Sequence, residues 1–172
     1  MVQFSDYVVF ADESGSPVLD NPDPTFPVFV LNCILVEKQT YADAVVHRNG
    51  EQWGSCWAAD ARWILSADRD VVGREAIVAL WNKAMGTFAA VVQNVYNGAV
   101  EVAEDGLTAS ARWYIGEHFL RANGTPGMLL AYYNDTYAYV DGHWLFTSRQ
   151  LFPQYQGAPD LSAPFLNATT QG

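Results

Sequence analysis

Basic residues are scarce in this chain of 172 residues: nine Lys and Arg stand against nineteen Asp and Glu, a formal net charge of −10. A field of that sign repels phosphate backbones, and no Lys/Arg cluster offsets it, so no nucleic-acid partner is expected. Cysteine is scarcer still. Cys33 and Cys56 are the only two; they lack metal-ligand spacing and read as reduced core thiols of a cytoplasmic protein. No apolar run approaches the roughly 20 residues of a membrane span. The opening MVQFSDYVVF has no basic segment before its apolar one, so neither a membrane anchor nor a signal peptide is expected. With no glycine-rich phosphate loop and no metal-ligand cluster, the expected cofactors and metals are none.

What the chain has in quantity is apolar and aromatic surface. Half the residues are hydrophobic and 14% are aromatic, which fits one globular domain with a substantial core. Three turn signals recur at equal spacing, Asp105-Gly106, Asn123-Gly124 and Asp141-Gly142. Asn-Gly and Asp-Gly supply the positive φ that tight hairpins need. The segments around them, AVVQNVYNGAVEV, SARWYIGEHFL, GMLLAYYNDTYAYV and HWLFTSRQLF, are rich in aromatic and β-branched residues. They read as a four-stranded antiparallel meander.

Upstream, DYVVFA and PVFVLNCILVE read as two strands around a loop that holds four of the eight prolines. KQTYADAVVHR reads as a helix, EQWGSCWAA as a second with Trp53, Cys56 and Trp57 on one side, and Asp60–Leu65 as a short strand. From Gly73 to Phe88, the apolar positions Ile77, Leu80, Trp81, Ala84, Met85 and Phe88 form one helical face. Helices grouped before a run of strands imply an α+β architecture. The expected divisions are an amino-terminal β-hairpin over residues 1–37, a domain over 38–157 and an irregular tail over 158–172.

The segments YADAVVHRNGEQW, CWAADARW, VVGREAIVALW, ARWYIGEH, YYNDTYAYVDGHWLFTSR and YQGAPDLSAPF occur in that order between residues 41 and 166. Together they resemble the SnoaL-like branch of the nuclear-transport-factor-2-like superfamily. The resemblance implies a cone-shaped curved antiparallel sheet, its concave face covered by helices, around a pocket for small hydrophobic molecules. Relatives include polyketide cyclases, ketosteroid isomerases, dehydratases and dehydrochlorinases beside non-catalytic members. DYVVFADESGS and DPTFPVFVLNCILVEKQTY, near the start, resemble instead the opening of an uncharacterised family with a ribonuclease-H-like core. That second resemblance suggests a fused or chimeric chain. Asp12 and Glu13 would be its metal-binding acids, but only its first two strands are present, so two solvated acids are the expected reading.

In the superfamily's lyases an Asp at the end of the first helix and a His on the sheet form a base dyad. Matched along YADAVVHRNG, the Asp position is Val46, the acid that commonly follows is Asn49, and the sheet His falls at Gln93. Both members are absent, and whether the chain is an enzyme stays open. His47 is adjacent, but one helical step turns a side chain by roughly 100°.

Strand alternation groups Arg112, Tyr114, Gly116 and His118 on one face, which the family match places inward. By the same reading Leu129, Ala131, Tyr133, Asp135 and Tyr137 face in from the next strand, and Leu145, Thr147, Arg149 and Leu151 from the last. The expected ligand-binding set is Trp63, Trp81, Met85, Gln93, Tyr114, Leu129, Tyr133, Asp135 and Arg149, with Gln93, Tyr114 and Arg149 as catalytic candidates. An Arg149–Asp135 ion pair is an equal reading of those two, and the Trp and Tyr stripes are core before they are a ligand cage. The opposite face, carrying Trp113, Ile115, Phe119, Leu130, Tyr132, Trp144 and Phe146, calls for a covering partner, and a homodimer is expected there. The function expected is binding of a small hydrophobic, ring-containing molecule. Its enzymatic version is cyclase, isomerase or lyase chemistry through Tyr, Gln and Arg hydrogen bonds. The alternative is a structural or assembly domain with a filled pocket.

Overall fold

The computed structural model of the chain describes residues 40–166. The expected hairpin over residues 1–37, with Asp12, Glu13 and Cys33, lies outside the described residues. A helix over residues 40–47 (α1) leads through Arg48, whose φ of 53° turns the chain, into α2 (Gly50–Ser55). The Asn49 side chain caps α2 by accepting from the Gln52 backbone N–H. Then follow β1 (Trp57–Ser66), β2 (Arg69–Val72), α3 (Arg74–Met85), β3 (Phe88–Val102), β4 (Thr108–Arg121), β5 (Pro126–Val140) and β6 (His143–Gly157). They form one six-stranded sheet of order β2-β1-β6-β5-β4-β3.

The meander and its turns stand where the turn signals put them. Asp141 and Gly142 both take positive φ, 51° and 87°, the geometry of a two-residue hairpin. At the β3–β4 turn Asp105 Oδ1 accepts from the backbone N–H groups of Leu107 and Thr108. Upstream, three readings change. The second helix stops at Ser55, and Trp57 already begins a ten-residue β1. The short strand β2 pairs antiparallel with β1 and lies between the expected short strand and the expected helix, where no element was read. The sheet is also not wholly antiparallel, because β1 runs parallel to β6, with Trp63 opposite Arg149.

Curvature comes from irregular pairing. Thr136 pairs with Ser148 and Tyr137 with Phe146, so Thr147 is an extra residue in β6; Gln154 is a second, between the partners of Leu130 and Ala131. In β3 the register shifts between Val95 and Gly98. A side chain at Gly98 would collide with the Arg112 carbonyl oxygen and the Trp113 indole, so glycine alone lets β3 close over β4 here.

The helices lie on one face of the sheet and enclose an aromatic core. Trp53 of α2 stacks on Trp81 of α3 at 4.8 Å between ring centroids and meets Trp57 and Trp63 of β1 at 5.1 and 5.3 Å. Tyr41 of α1 and Phe146 of β6 extend the cluster. The expected face of α3 is partly realised: Ile77 and Trp81 are buried, while Leu80 and Met85 are partly buried and Phe88 belongs to β3.

The face assignment of β4 is reversed. Ala111, Trp113, Ile115 and Phe119 are buried in the core, whereas Arg112 and Tyr114 are exposed on the outer face with His118. In β6 the Thr147 bulge divides the alternation. Arg149 and Leu151 face inward as expected, but before the bulge it is Trp144 and Phe146 that point in, and Leu145 and Thr147 that do not. Of the seven side chains that called for a covering partner, only Leu130 and Tyr132 keep the outer side. There Tyr132 lies between Tyr114 and Phe152, and the tail over residues 158–166 folds back over Tyr155.

Candidate functional site

Four polar side chains meet in the interior, one from each meander strand: Gln93 of β3, Glu117 of β4, Asp135 of β5 and Arg149 of β6. Their neighbours in sequence are ordinary strand residues, so it is the pleat that turns each of them inward. The register makes two pairs of them, Gln93 opposite Glu117 and Asp135 opposite Arg149.

Arg149 is the centre of the group. It is fully buried, and its Cζ lies 3.5 Å from the ring centroid of Tyr133, 4.2 Å from that of Tyr41 and 4.9 Å from that of Phe146. Its Nε is 3.5 Å from Asp135 Oδ1, an ion pair without hydrogen-bond geometry. Among the described residues none of its three nitrogens makes a hydrogen bond. Burial opposes the charge, but the Asp135 carboxylate prevails and holds the guanidinium protonated. Asp135 is itself fixed. Trp113 Nε1 donates to the Tyr137 hydroxyl at 3.1 Å, which donates to Asp135 Oδ2 at 2.9 Å.

Burial pushes the Tyr41 hydroxyl up to about 12 and those of Tyr133 and Tyr137 well above their usual value. All three are therefore neutral at physiological pH. Gln93 Nε2 donates to Glu117 Oε1 at 2.6 Å, while the buried Gln93 Oε1 accepts nothing among the described residues. Burial raises the Glu117 carboxyl, against the Gln93 hydrogen bond and the Arg149 charge, which pull it down.

The arrangement can do two things chemically. Arg149 offers N–H donors from within an aromatic cage, which suits a carbonyl or anionic oxygen on a flat ring. Glu117 offers a carboxyl that exists in both protonation states nearer neutrality than usual.

Of the expected site residues, Gln93, Leu129, Tyr133, Asp135 and Arg149 lie together inside. Trp63 and Trp81 belong to the tryptophan cluster, with Met85 beside it. Tyr114 does not join them; it is 38% exposed on the outer face and touches Tyr132. That outer face carries an open groove of about 690 Å³, lined by Glu101, Arg112, Tyr114 and Asn134 among others. Val46 is also 38% exposed, and His47 pairs with Asp43 at 3.3 Å on the solvent side of α1, so neither approaches the interior. Glu117, Tyr41 and Trp113 are the members that sequence reasoning missed. The apolar series Ala111, Trp113, Ile115 and Phe119 carried the signal, because an acid within it must face the core.

Among the described residues no group of three or more His, Cys, Asp or Glu could hold a metal ion, and no helix is long and apolar enough to cross a membrane.

The family model described as the SnoaL-like domain matches residues 34–150. No curated protein matches the chain. Among solved structures, a candidate scytalone dehydratase from Novosphingobium aromaticivorans superposes with a TM-score of 0.72 at 18% identity, covering 84% of this chain and 96% of its own. The hexachlorocyclohexane dehydrochlorinase LinA-type3 from Novosphingobium barchaimii gives 0.69 at 16%, covering 83% and 97%. ActVI-ORFA from Streptomyces coelicolor gives 0.63 at 16%, covering 73% and 97%. At such identities the likeness is one of fold. The resemblance of the first forty residues to a ribonuclease-H-like opening, and with it a fused chain, finds no support in these matches.

Proposed function

Because this chain belongs to the SnoaL-like domain family, we propose that the inner face of its sheet binds a small hydrophobic, ring-containing molecule through an oxygen on or beside the ring. One observation carries the reading: Arg149 is fully buried among three aromatic rings, and its nitrogens make no hydrogen bond among the described residues. A buried donor without an acceptor costs about 1–3 kcal/mol, more when charged. A ligand oxygen would remove that cost. Gln93 Oε1 supplies an acceptor for a ligand hydroxyl, and Tyr133 a ring face.

The solved relative named as a hexachlorocyclohexane dehydrochlorinase acts on a ring compound by name, which agrees with a ring-shaped ligand here. Catalysis in this chain would be of the cyclase, isomerase or lyase kind, without the usual His–Asp dyad. The second reading, a structural domain with a filled interior, draws on the tryptophan cluster, where Trp53, Trp57, Trp63 and Trp81 pack on one another.

A thermal-shift panel of phenols, cyclic ketones and halogenated rings separates the two. Ligand at 100 times its Kd adds about 2.7 kcal/mol. The shift is expected in the parent and lost in Arg149→Met/Asp135→Asn, which removes both charges together. A panel with no shift on a folded protein would leave the structural reading standing.

A further inference from the structure

We propose that the groove on the outer face of the sheet is a second binding site, one that takes a neutral carbohydrate, with a pyranose ring laid against Tyr114 and its hydroxyls on the polar floor beside it. The site is independent of the interior reading, because the two lie on opposite faces of the same strands.

The groove spans β3 to β6 and has a volume of about 690 Å³, within the roughly 300–1,000 Å³ of small-molecule sites. The register sets two rows of outward side chains next to each other. One row is Arg112, Asn134 and Gln150; the other is Glu101, Ser110, Thr136 and Ser148. The short serine side chains keep the floor low between the longer ones. Arg112 is held from two sides. Its Nε donates to Asn134 Oδ1 at 3.0 Å, and its Cζ stands 5.1 Å from the centroid of the Tyr132 ring. Its terminal nitrogens are thereby presented as a fixed planar fork of donors, which fits two neighbouring hydroxyls.

The lining selects the class of ligand. The groove lies over the face of paired strands, where backbone N–H and C=O groups are engaged in the ladders, so recognition falls to side chains. Amides and hydroxyls both donate and accept, and Gln150, Ser110 and Ser148 make no side-chain hydrogen bond among the described residues. A ligand dense in hydroxyls, which also do both, matches such a floor. Of the charged residues in the lining, Asp135 faces the interior, so Glu101 and Arg112 remain and offset each other. The net charge of −10 also repels anions, and a neutral ligand follows. Tyr114, 38% exposed, adds an aromatic ring beside the floor. The electron-rich face of such a ring attracts the polarised C–H bonds of a pyranose. A second copy of this chain would need an apolar centre poor in charge, which a floor holding a guanidinium, a carboxylate and amides does not offer.

The test titrates cellobiose, lactose and N,N′-diacetylchitobiose into the whole chain. Ligand protons are read by saturation-transfer difference and backbone amides by two-dimensional NMR, which also shows that each variant is folded. At least one of these disaccharides is expected to receive saturation at its ring C–H protons and to shift the amides of Ser110, Arg112, Asn134 and Gln150. Tyr114→Ala should weaken that binding by about tenfold, Gln150→Ala should weaken it as well, and Tyr114→Phe, which keeps the ring, should retain it. Shifts that survive Tyr114→Ala unchanged, or that map away from the groove, overturn the proposal. So does the absence of saturation transfer to all of these sugars from a folded chain. A dimer in light scattering that Arg112→Glu turns into a monomer also overturns it, and gives the face to a second copy.

Discussion

At the scale of single residues the interior is a balance between one cation and one anion, and the balance is asymmetric. Arg149 keeps its charge because Asp135 lies 3.5 Å away, and Asp135 is oriented by Tyr137 and, through it, Trp113. Removing one partner of a buried pair costs about 3–5 kcal/mol, because the other charge is left without compensation. Removing both costs far less, since the desolvation penalty goes with them. Asp135→Asn is therefore expected to lower stability by about 3–5 kcal/mol in chemical denaturation, and Arg149→Met on that background to recover most of it. Additive losses would show that the two side chains do not act as a pair. The Arg149–Asp135 ion pair was legible as one of two equal readings, since both side chains fall on the inner face. The chain from Trp113 through Tyr137 was not, because it depends on Trp113 pointing inward, and the family match placed the other series of β4 there.

The anchor and the bulges belong to the scale of elements. A strand's two faces are fixed by one choice, and an error of one residue reverses every side chain. In β4 the apolar series Ala111, Trp113, Ile115 and Phe119 was the physical guide, and it agrees with the burial found. The family match had placed the other series inward. In β6 no single choice could serve, because Thr147 is an extra residue and the inward row passes from Phe146 to Arg149. The turns were legible because Asp-Gly and Asn-Gly demand positive φ. Bulges have no such signature, since Thr147 is an ordinary strand residue whose hydroxyl simply meets Thr136 at 2.8 Å. Deleting Thr147 would remove the interruption. Phe146 and Ser148 would then be neighbours opposite Tyr137 and Thr136, and Arg149 would stay inward opposite Asp135. The expected outcome is a drop in stability well beyond the roughly 0.5 kcal/mol usual for surface changes, from the lost bend, with the ligand-induced thermal shift kept. A deletion variant at the parental midpoint would show that the bulge contributes nothing to the fold, and one that lost the shift would show that the bend, and not the register alone, shapes the site.

Across the whole molecule, the stability of the fold depends on pH through Glu117. Burial raises this carboxyl above its ordinary value, so the folded chain holds the proton to a higher pH than the unfolded chain. The group's favourable contribution is full below the ordinary glutamate value and is lost as pH rises through the raised one. Above that window the folded state carries a partly buried carboxylate that only Gln93 and the charge of Arg149 relieve. Glu117→Gln keeps the shape of the protonated acid and cannot ionise. It is expected to match the parent's stability at acidic pH and to exceed it from the upper end of the window through neutral pH, as read from denaturation midpoints measured across that range. A chain of net charge −10 already bears self-repulsion at neutral pH, so one more buried negative charge has no general benefit to folding. A variant that is more stable at neutral pH would show that the acid is kept at a cost to the fold. A variant that is less stable at neutral pH would instead make Glu117 a structural partner of Gln93.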